Sequence, residues 1–362
     1  MPTCAFVSFR LGGTDGVSVV AATWIDAVRA MGFDVVTVAG EGPVDRTVRG
    51  LAIGAVPDGL AGLEGPDAPT AGERDALARE VASALSDADL VVLENLATIP
   101  MNLPGSLATL GVLAGRPAVL HHHDPAWQRR RYAGVDLLPT DDPAWRHVTI
   151  NDLTRAELAD RGFSATTIRN GFETHPRVVD RASARDALGF DAAERIAVHP
   201  VRAIERKDVP TAIAVAEAIG ASYWLTGPAE EGYGPVLERL LRDAEARGTV
   251  VHHRAAPDLA TLYAAADLVL FPSTWEGFGN PPVEAAIHRR PAVVGHYPVA
   301  DELRRLGLRW FDPSAPGAVR AWLDDPEPAL LDHNAAIADR ELSLDAMATR
   351  IEALFDEAGW IP

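Results

Sequence analysis

The amino-acid sequence predicts an α/β protein built from two doubly wound parallel sheets in tandem. Short apolar runs alternate with longer segments rich in Ala, Leu and Arg, which is the pattern of strand–helix–strand units. The alternation runs once through residues 1–173 and again through residues 174–343. A chain of 362 residues also exceeds the usual size of one hydrophobic core, so two domains of about 150 to 200 residues are expected.

Five strands are predicted in the first domain, with a helix after the first of them. The strands are CAFVSF (4–9), DVVTVAG (34–40), DLVVLEN (89–95), AVLHHHD (118–124) and HVTIN (147–151), and the helix is VSVVAATWIDAVRAMG (17–32). A looser segment with a short helix, 174–194, leads into five more strands: RIAVHPV (195–201), ASYWLTG (221–227), GTVVHH (248–253), DLVLFPS (267–273) and PAVVG (291–295). Such sheets bind ligands at the carboxyl ends of their strands, so the residues after each strand are the candidates for a site.

The composition excludes several classes of protein. The 51 acidic residues outnumber the 33 basic ones and give a net charge of −18, which repels nucleic acids and anionic lipid surfaces. No run of about 18 apolar residues occurs and no basic segment precedes CAFVSF, so we expect a cytoplasmic protein without stable membrane insertion. The single cysteine, Cys4, is expected to pack in the first strand and excludes an intrachain disulfide.

The segment FPSTWEGFGNPPVEAAIHRRPAVVG (271–295) carries the most specific chemical pattern. Glu276 and Glu284 are separated by seven residues, and two prolines after the intervening loop favour a helix whose first turn would contain Glu284. Gly277 and Gly279 let backbone amides approach phosphate oxygens, while the carboxylates accept hydrogen bonds from hydroxyl groups. The pattern therefore suits a sugar diphosphate. In the simpler alternative, the glycines only form a turn and Glu284 only favours the helix start.

This segment resembles the E-x-x-x-x-x-x-x-E signature of the retaining glycosyltransferases with the GT-B fold, family four in particular (glycosyl transferases group 1). The resemblance implies two tandem Rossmann-like domains with a cleft between them, and a C-terminal helix (344–362) that completes the first domain. It also implies that Glu276 faces the donor sugar and that Glu284 holds the nucleotide ribose. The amides that would hold the sugar and the diphosphate belong to Gly277, Phe278, Gly279 and Asn280.

Two cations follow a strand of the second domain at the spacing R-x-x-x-x-K. In the family that the chain resembles, such a pair neutralises the donor diphosphate without a metal ion, which assigns this role to Arg202 and to Lys207, the only lysine in the chain. The resemblance also places Gly227 at the donor, Gly13 near the donor phosphate and Gly12 towards the acceptor. Two alternatives remain for the lysine: an ordinary solvated side chain, or a Schiff base to pyridoxal phosphate as in the longer glycogen phosphorylases, which share the fold.

The strand AVLHHHD supplies candidates for the acceptor side. The resemblance places a histidine at its end, near the reacting sugar; His123 matches best and Asp124 follows it. A metal site made of His121, His123 and Asp124 is conceivable, but cations already take the place of a metal, so none is expected. Alternatively, these histidines only bind the backbone. Glu94 and Asn95, which end the strand DLVVLEN, are further acceptor-side candidates.

Three consecutive arginines form the densest basic cluster of this acidic chain: Arg129, Arg130 and Arg131. They suit a carboxylate or phosphate on the acceptor. With Trp127 and Tyr132 they also suit a membrane surface, as in family members that glycosylate lipids. A plain solvated helix face is the third alternative. The net charge favours a soluble acceptor.

These patterns predict a retaining, metal-independent hexosyltransferase that uses a UDP- or GDP-sugar as co-substrate, needs no other cofactor and glycosylates a small, soluble, anionic acceptor. Front-face substitution is the mechanism that the resemblance implies, and double displacement stays open. The alternatives are a lipid-acceptor transferase at the membrane surface, a sugar-nucleotide epimerase of related fold and a non-catalytic nucleotide-sugar-binding protein. The sequence does not indicate an oligomeric state.

Overall fold

A computed structural model describes residues 1–13, 15–132 and 134–362, and the chain divides into two compact units. Unit 1 comprises Met1–Gly171 and Leu344–Pro362, and unit 2 comprises Phe172–Ser343. The chain therefore passes into unit 2 two residues before the predicted boundary at 173. None of the helices in the described ranges is long and apolar enough to cross a membrane.

Unit 1 is an α/β domain around a seven-stranded sheet. Its strands are β1 Thr3–Arg10, β2 Asp34–Glu41, β3 Arg46–Thr47, β4 Leu90–Glu94, β5 Ala118–His122, β6 Trp145–Thr149 and β7 Ala165–Thr167. Its first helices are α1 Gly16–Ala30, α2 Ala61–Glu64, α3 Ala71–Ala84, α4 Leu103–Leu113 and α5 Asp152–Ala159. The strand order is β3-β2-β1-β4-β5-β6-β7 with every neighbouring pair parallel, which is the Rossmann order.

Unit 2 repeats this plan with five strands. They are β8 Ile196–His199, β9 Ser222–Leu225, β10 Val251–His253, β11 Leu268–Phe271 and β12 Ala292–Val294, in the order β10-β9-β8-β11-β12 and all parallel. The helices are α6 Arg181–Leu188, α7 Val209–Ala218, α8 Gly234–Ala246, α9 Leu259–Ala265, α10 Asn280–Ile287, α11 Pro298–Arg305, α12 Pro316–Asp324 and α13 Pro328–Leu342. The chain is thus an α/β protein with two Rossmann-like domains.

The last helix, α14 Leu344–Ala358, belongs to unit 1. Its apolar face buries Ile351 and Phe355 in the cluster that surrounds Trp24 of α1. The Phe355 ring meets that of Phe33 edge-on at 5.9 Å. Cys4 of β1 lies in the same cluster, where burial raises the pKa of its thiol, so the prediction of a packed, unpaired cysteine is confirmed.

Candidate active site

The loops that follow β8 and β11 share one edge of the unit 2 sheet, because these strands are parallel neighbours. The direction in which the chain adds strands reverses between β8 and β11, and doubly wound sheets bind ligands at that position. The loop after β8 contains a 3₁₀ turn, Glu205–Lys207. The amide of Thr274, in the loop after β11, donates to the carbonyl of Arg206 over 2.9 Å. The two loops are therefore bonded to each other.

Glu276 is bound by two cations of that turn. Nζ of Lys207 lies 2.5 Å from Oε1 of Glu276, and Nη1 of Arg206 donates to Oε2. Arg206 also donates to the carbonyl of Trp275 over 2.8 Å. Lys207 is only 9% exposed and Glu276 only 7%, so water screens their attraction weakly. Burial lowers the pKa of Lys207, and the charge of Glu276 opposes that change.

The structure places Arg206, rather than Arg202, beside Lys207 and Glu276. The guanidinium of Arg202 pairs with Glu230, and its side chain is more than half exposed. Arg202 is still close enough for its charge to contribute to the lowered pKa of Lys207. The pair expected from the R-x-x-x-x-K spacing is thus a group of three cations. The sequence analysis missed Arg206. Its position next to the only lysine in the chain was the feature that could have indicated it.

Gly227 lies where the loop after β9 passes close to the loop after β8. Its amide donates to the carbonyl of Val201 over 3.1 Å, and a Cβ atom at position 227 would lie 2.4 Å from the same oxygen. A side chain is sterically excluded there, so the packing of the two loops already requires the glycine. Its role in donor binding stays a prediction.

The glycine-rich loop enters α10 through a left-handed residue. Gly279 has a φ of 97°, and a Cβ atom there would lie 2.3 Å from the hydroxyl oxygen of Tyr297. Phe278 turns into unit 2, where its ring stacks with that of Phe172 at 6.1 Å. Gly277, which has no side chain, precedes it in the loop. Only backbone groups of these three loop residues therefore remain for the predicted contacts with a diphosphate.

Glu284 is held by a tyrosine of a neighbouring helix. Because α10 begins at Asn280, Glu284 lies in its second turn, and the expectation of a first-turn position was wrong. The hydroxyl of Tyr263 donates to Oε2 of Glu284 over 2.6 Å, and the His288 ring stacks on Tyr263 at 4.8 Å. Burial raises the pKa of Glu284, against the effect of the tyrosine hydrogen bond. Tyr263 comes from α9, and no local spacing predicts its contact with Glu284.

Three buried polar atoms near these loops have no hydrogen-bond partner among the described residues: Nε2 of His199, Oγ of Ser273 and the hydroxyl of Tyr297. Nδ1 of His199 is bound to the hydroxyl of Tyr223 at 2.9 Å. Burial, and then the charge of Lys207, lower the pKa of His199 to about 3. Buried polar groups are normally hydrogen-bonded, so these three atoms distinguish the carboxyl edge of the sheet from ordinary core.

The glycine loop of unit 1 leads from β1 into α1. Gly12 has a φ of 75°, and a Cβ atom there would lie 2.6 Å from the ring of Pro43. The N-terminus of α1 is capped by Asp15, whose carboxylate accepts a hydrogen bond from the amide of Ser18 over 3.2 Å. A carboxylate at this position competes with a phosphate for the same amides. Asp15 is also paired with Arg10, and the phosphate contact predicted for Gly13 stays a prediction.

Glu94, the last residue of β4, binds two histidines from the end of β5. Its Oε2 accepts hydrogen bonds from Nε2 of His123 at 2.8 Å and from Nδ1 of His121 at 3.0 Å. Burial alone would raise the pKa of Glu94, but the two imidazoles outweigh it and lower the pKa to about 2. As the strand alternation predicts, His122 points to the other face, where it binds His147.

Asn95 fixes the backbone that carries His123. It has a φ of 63°, and its Oδ1 accepts hydrogen bonds from the amides of His123 at 3.1 Å and of Asp124 at 2.9 Å. Asparagine tolerates this left-handed conformation better than most residues. Glu94 and Asn95 are both buried. Their side chains bind neighbouring residues, and their place on the acceptor side stays a prediction.

Glu94, His121 and His123 also form a cluster of potential metal ligands, since one ligand atom from each lies within 4.8 Å of the others. The cluster differs from the set considered from the sequence, because Asp124 binds Arg129 and Glu94 takes its place. Imidazole ligands of metals usually donate their second ring N–H to a partner. Nε2 of His121 has no such partner among the described residues. The arrangement therefore fits a carboxylate shared by two imidazole N–H groups better than a metal centre.

Two of the three clustered arginines are paired within unit 1. Arg129 binds Asp124, and Arg131 binds Asp58. Arg130 is exposed and has no acidic partner among the residues that the structure describes. The cluster is therefore largely neutralised by its neighbours, and only Arg130 presents an uncompensated charge.

A cavity of about 550 Å³ lies beside Arg131 and Asp58 in unit 1. Tyr132 and Met101 also line it, and the Tyr132 hydroxyl donates to Asp58 over 3.1 Å. A volume of this size accommodates a small organic molecule. Two acids, Asp58 and Asp67, line the cavity with one arginine, Arg131, which Asp58 already binds, so the cavity offers no free positive charge from the basic cluster.

Solved structures and a family model are similar to this chain. HepE of Anabaena, in complex with UDP and glucose, has a TM-score of 0.75 and 17% identity over 99% of this chain and 100% of that chain. Sucrose-phosphate synthase from Thermosynechococcus elongatus has a TM-score of 0.72 and 16% identity over 99% of each chain. Residues 196–309 match the family described as glycosyl transferases group 1. The chain therefore has the GT-B fold and contains a glycosyl transferases group 1 domain.

Several proteins align with this chain by sequence, among them the following two. Mannosylglucosylglycerate synthase from Thermotoga maritima is 26% identical over 84% of this chain and 83% of that protein. D-inositol 3-phosphate glycosyltransferase from Mycobacterium tuberculosis is 32% identical over 45% of this chain and 35% of that protein. The fold, the family match over residues 196–309 and these relatives together support glycosyltransferase activity for the chain.

Proposed function

We propose that the chain is a retaining glycosyltransferase that transfers a hexose from a nucleotide-diphosphate sugar to a small, soluble, anionic acceptor. Unit 2 binds the donor and unit 1 binds the acceptor. The observation that carries the proposal is the buried contact of Lys207 and Arg206 with Glu276 at the strand-order reversal of unit 2. Two cations and a carboxylate at this edge match the two halves of the donor, since the diphosphate is anionic and the sugar carries hydroxyl groups.

Each of these side chains has a distinct role in the proposed reaction. The bond from the anomeric carbon to the phosphate breaks, and Lys207 neutralises the charge that develops on the leaving diphosphate, so no metal ion is needed there. Arg206 keeps Glu276 in place while Lys207 turns to the phosphate. Glu284, oriented by Tyr263, accepts hydrogen bonds from the ribose.

Retention follows if the acceptor attacks the face from which the diphosphate leaves. The acceptor oxygen then bonds to the anomeric carbon, and its proton passes to an oxygen of the departing phosphate. An anionic acceptor is supported by the exposed Arg130 beside the paired Arg129 and Arg131. The names of the two relatives point the same way, because they contain glycerate and inositol phosphate, which are both anions.

The test is a thermal-shift screen with UDP-, GDP- and ADP-sugars, followed by transfer assays with the donor that stabilises the protein most. Glycerate and inositol phosphate serve as acceptors, and glycerol and inositol are their uncharged controls. We expect transfer to the anions, unchanged activity in EDTA, and NMR coupling constants that show retention at the anomeric carbon. If no donor raises the melting temperature, if EDTA abolishes transfer or if the product is inverted, the corresponding part of the proposal is wrong.

A further inference from the structure

The hydrogen bonds around His123 determine what this residue can recognise. A carboxylate only accepts hydrogen bonds, and Oε2 of Glu94 lies 2.8 Å from Nε2 of His123. Nε2 therefore carries the hydrogen. In a neutral imidazole the other nitrogen, Nδ1, is then an acceptor with a free lone pair.

The His123 ring is fixed in this orientation from several sides. His121 donates from its Nδ1 to the same oxygen of Glu94, and its ring lies 4.3 Å from those of both His123 and Trp24. Asn95 binds the amide of His123. A ring flip would break the bond to Glu94 inside a buried cluster, which is costly.

Nδ1 of His123 differs from the other ring nitrogens of this cluster. It makes no hydrogen bond within the described residues, yet it is not among the fully buried atoms that lack a partner, as Nε2 of His121 is. His123 also retains 5% of its surface, whereas Glu94 retains none. Nδ1 is thus the one nitrogen of this cluster that is both unpaired and accessible.

We propose that Glu94 is a positioning residue that holds His123 in the Nε2–H tautomer, so that Nδ1 of His123 accepts a hydrogen bond from a substrate hydroxyl group. A phosphate or carboxylate oxygen has no hydrogen to give to Nδ1, so anion recognition in unit 1 falls to the arginines. The inference rests on the proposed function only for the source of the hydroxyl, which is either the donor sugar or the acceptor.

The tautomer is measured directly on the wild-type protein by NMR of ¹⁵N-labelled histidines, with His123 assigned through His123→Gln. We expect a protonated Nε2 and an unprotonated Nδ1 at neutral pH, and Glu94→Gln should redistribute the hydrogen between the two nitrogens. A proton on Nδ1 in the wild-type protein overturns the inference. Stoichiometric Zn²⁺ binding that removes both N–H signals also overturns it, because the cluster is then a metal site.

Kinetics test the consequence for a substrate. We expect Glu94→Gln to lower kcat/KM by about 10-fold to 150-fold, the value of a hydrogen bond to a charged group. Glu94→Asp keeps the negative charge, so its kcat/KM should lie between those of Glu94→Gln and the wild-type protein. If the donor sugar supplies the hydroxyl group, Glu94→Gln should weaken binding of the UDP-sugar more than binding of UDP. If the acceptor supplies the hydroxyl group, Glu94→Gln should raise the KM for the acceptor. Unchanged kinetics in Glu94→Gln overturn the inference.

His122→Asn is the matched control, because His122 is an adjacent buried histidine on the opposite face, away from Glu94. We expect it to lower the melting temperature without changing the His123 tautomer or kcat/KM. If Glu94→Gln does not fold, the wild-type NMR measurement still decides the inference. Failure of the proposed function is distinguishable, since the tautomer is measured without any transfer reaction.

Discussion

At the scale of residues, we predict that donor binding depends most on the charge of Lys207. Lys207→Ala removes this cation and leaves Glu276 bound to Arg206, so the fold of the loop should persist. We expect the affinity for the nucleoside diphosphate to fall about 10-fold to 150-fold, the value of a hydrogen bond to a charged group. Isothermal titration measures the loss. Arg202→Ala is the comparison, because Arg202 is exposed and paired with Glu230. This variant should lose less affinity for the nucleoside diphosphate than Lys207→Ala does.

The same prediction can be checked chemically. Lys207 is the only lysine, so an amine-selective reagent has one side-chain target in the chain. A saturating concentration of donor should protect Lys207 from acetylation, measured by mass spectrometry after digestion. Equal labelling with and without donor, or a greater loss of affinity in Arg202→Ala than in Lys207→Ala, would contradict the assignment.

Gly279 carries a second residue-scale prediction. Gly279→Ala forces a side chain into a left-handed conformation, at a cost of about 1–2 kcal/mol, and directs its Cβ atom at the hydroxyl of Tyr297, 2.3 Å away. We expect urea unfolding to show at least this loss of stability, together with weaker donor binding. Tyr297→Phe in the same chain removes the oxygen and should restore part of the stability while leaving the backbone strain. A Gly279→Ala protein as stable as wild type would show that the loop adapts freely.

At the scale of elements, the alternating pattern located ten strands of the two sheets. It did not predict β3 and β7, the two edge strands of the first sheet, because their sequences, RT and ATT, contain no run of apolar residues. The start of α10 was placed too late, because Pro281 and Pro282 mark the start of a helix only approximately. The parallel arrangement of both sheets was predicted correctly, because strands and helices alternate along the sequence.

The sequence located those site residues that follow a strand at a recognisable spacing, such as Lys207 and Glu276. It could not supply partners that the tertiary fold brings from other segments, such as Tyr263 for Glu284. Glu94 was noted as a candidate, but its contact with the histidines depends on the register of β4 beside β5, where position 94 pairs with 121. The register between two strands is set by long-range packing, so a local sequence pattern does not predict it.

Two buried histidines on neighbouring strands make the stability of unit 1 depend on pH. Nε2 of His122 on β5 bonds to Nδ1 of His147 on β6 at 2.8 Å, and burial lowers the pKa of both. Unfolded histidine titrates near about 6.5, so below that pH the unfolded chain binds protons that the folded chain does not. This contribution to the free energy of unfolding is present above about pH 6.5 and is lost as the pH falls.

His147→Phe tests this dependence, because it removes one titrating ring while keeping an aromatic side chain against Phe163. Urea unfolding at about pH 7.5 and about pH 5.5 should show a smaller loss of stability in this variant than in the wild-type protein. His175→Asn is the control, because the His175 side chain is 83% exposed. This variant should show the same dependence of stability on pH as the wild-type protein. An identical dependence in His147→Phe and wild type would exclude the histidine pair as its source.

At the scale of the whole molecule, the net charge of −18 and the anionic donor appear to conflict. Screening resolves the conflict, because charges more than about 8 Å apart in water are largely screened at physiological ionic strength. Nearby groups therefore dominate at the site, where Arg206 and Lys207 bind Glu276 and Arg202 binds Glu230. An acidic surface and a local cationic site are compatible for this reason.

The two units differ in how the chain builds them. Unit 1 needs both chain segments, because α14 buries Ile351 and Phe355 against α1 and the first sheet. Unit 2 is one continuous segment whose ends meet, since the amide of Phe172 donates to the carbonyl of Leu342 over 2.8 Å. A continuous segment with its own sheet and adjacent ends has the anatomy of a domain that folds alone.

We therefore predict that residues 172–343, expressed alone, fold in one cooperative transition and bind the donor nucleotide. Every predicted donor residue except Gly13 lies inside this segment, so its affinity should stay within about tenfold of that of the full chain, the equivalent of about 1.4 kcal/mol. Lys207→Ala in the fragment is the control and should lower the affinity by about 10-fold to 150-fold, as in the full chain. A fragment that folds but does not bind would mean that unit 1 supplies an essential part of the donor site, and the contact assigned to Gly13 would then be the first to examine.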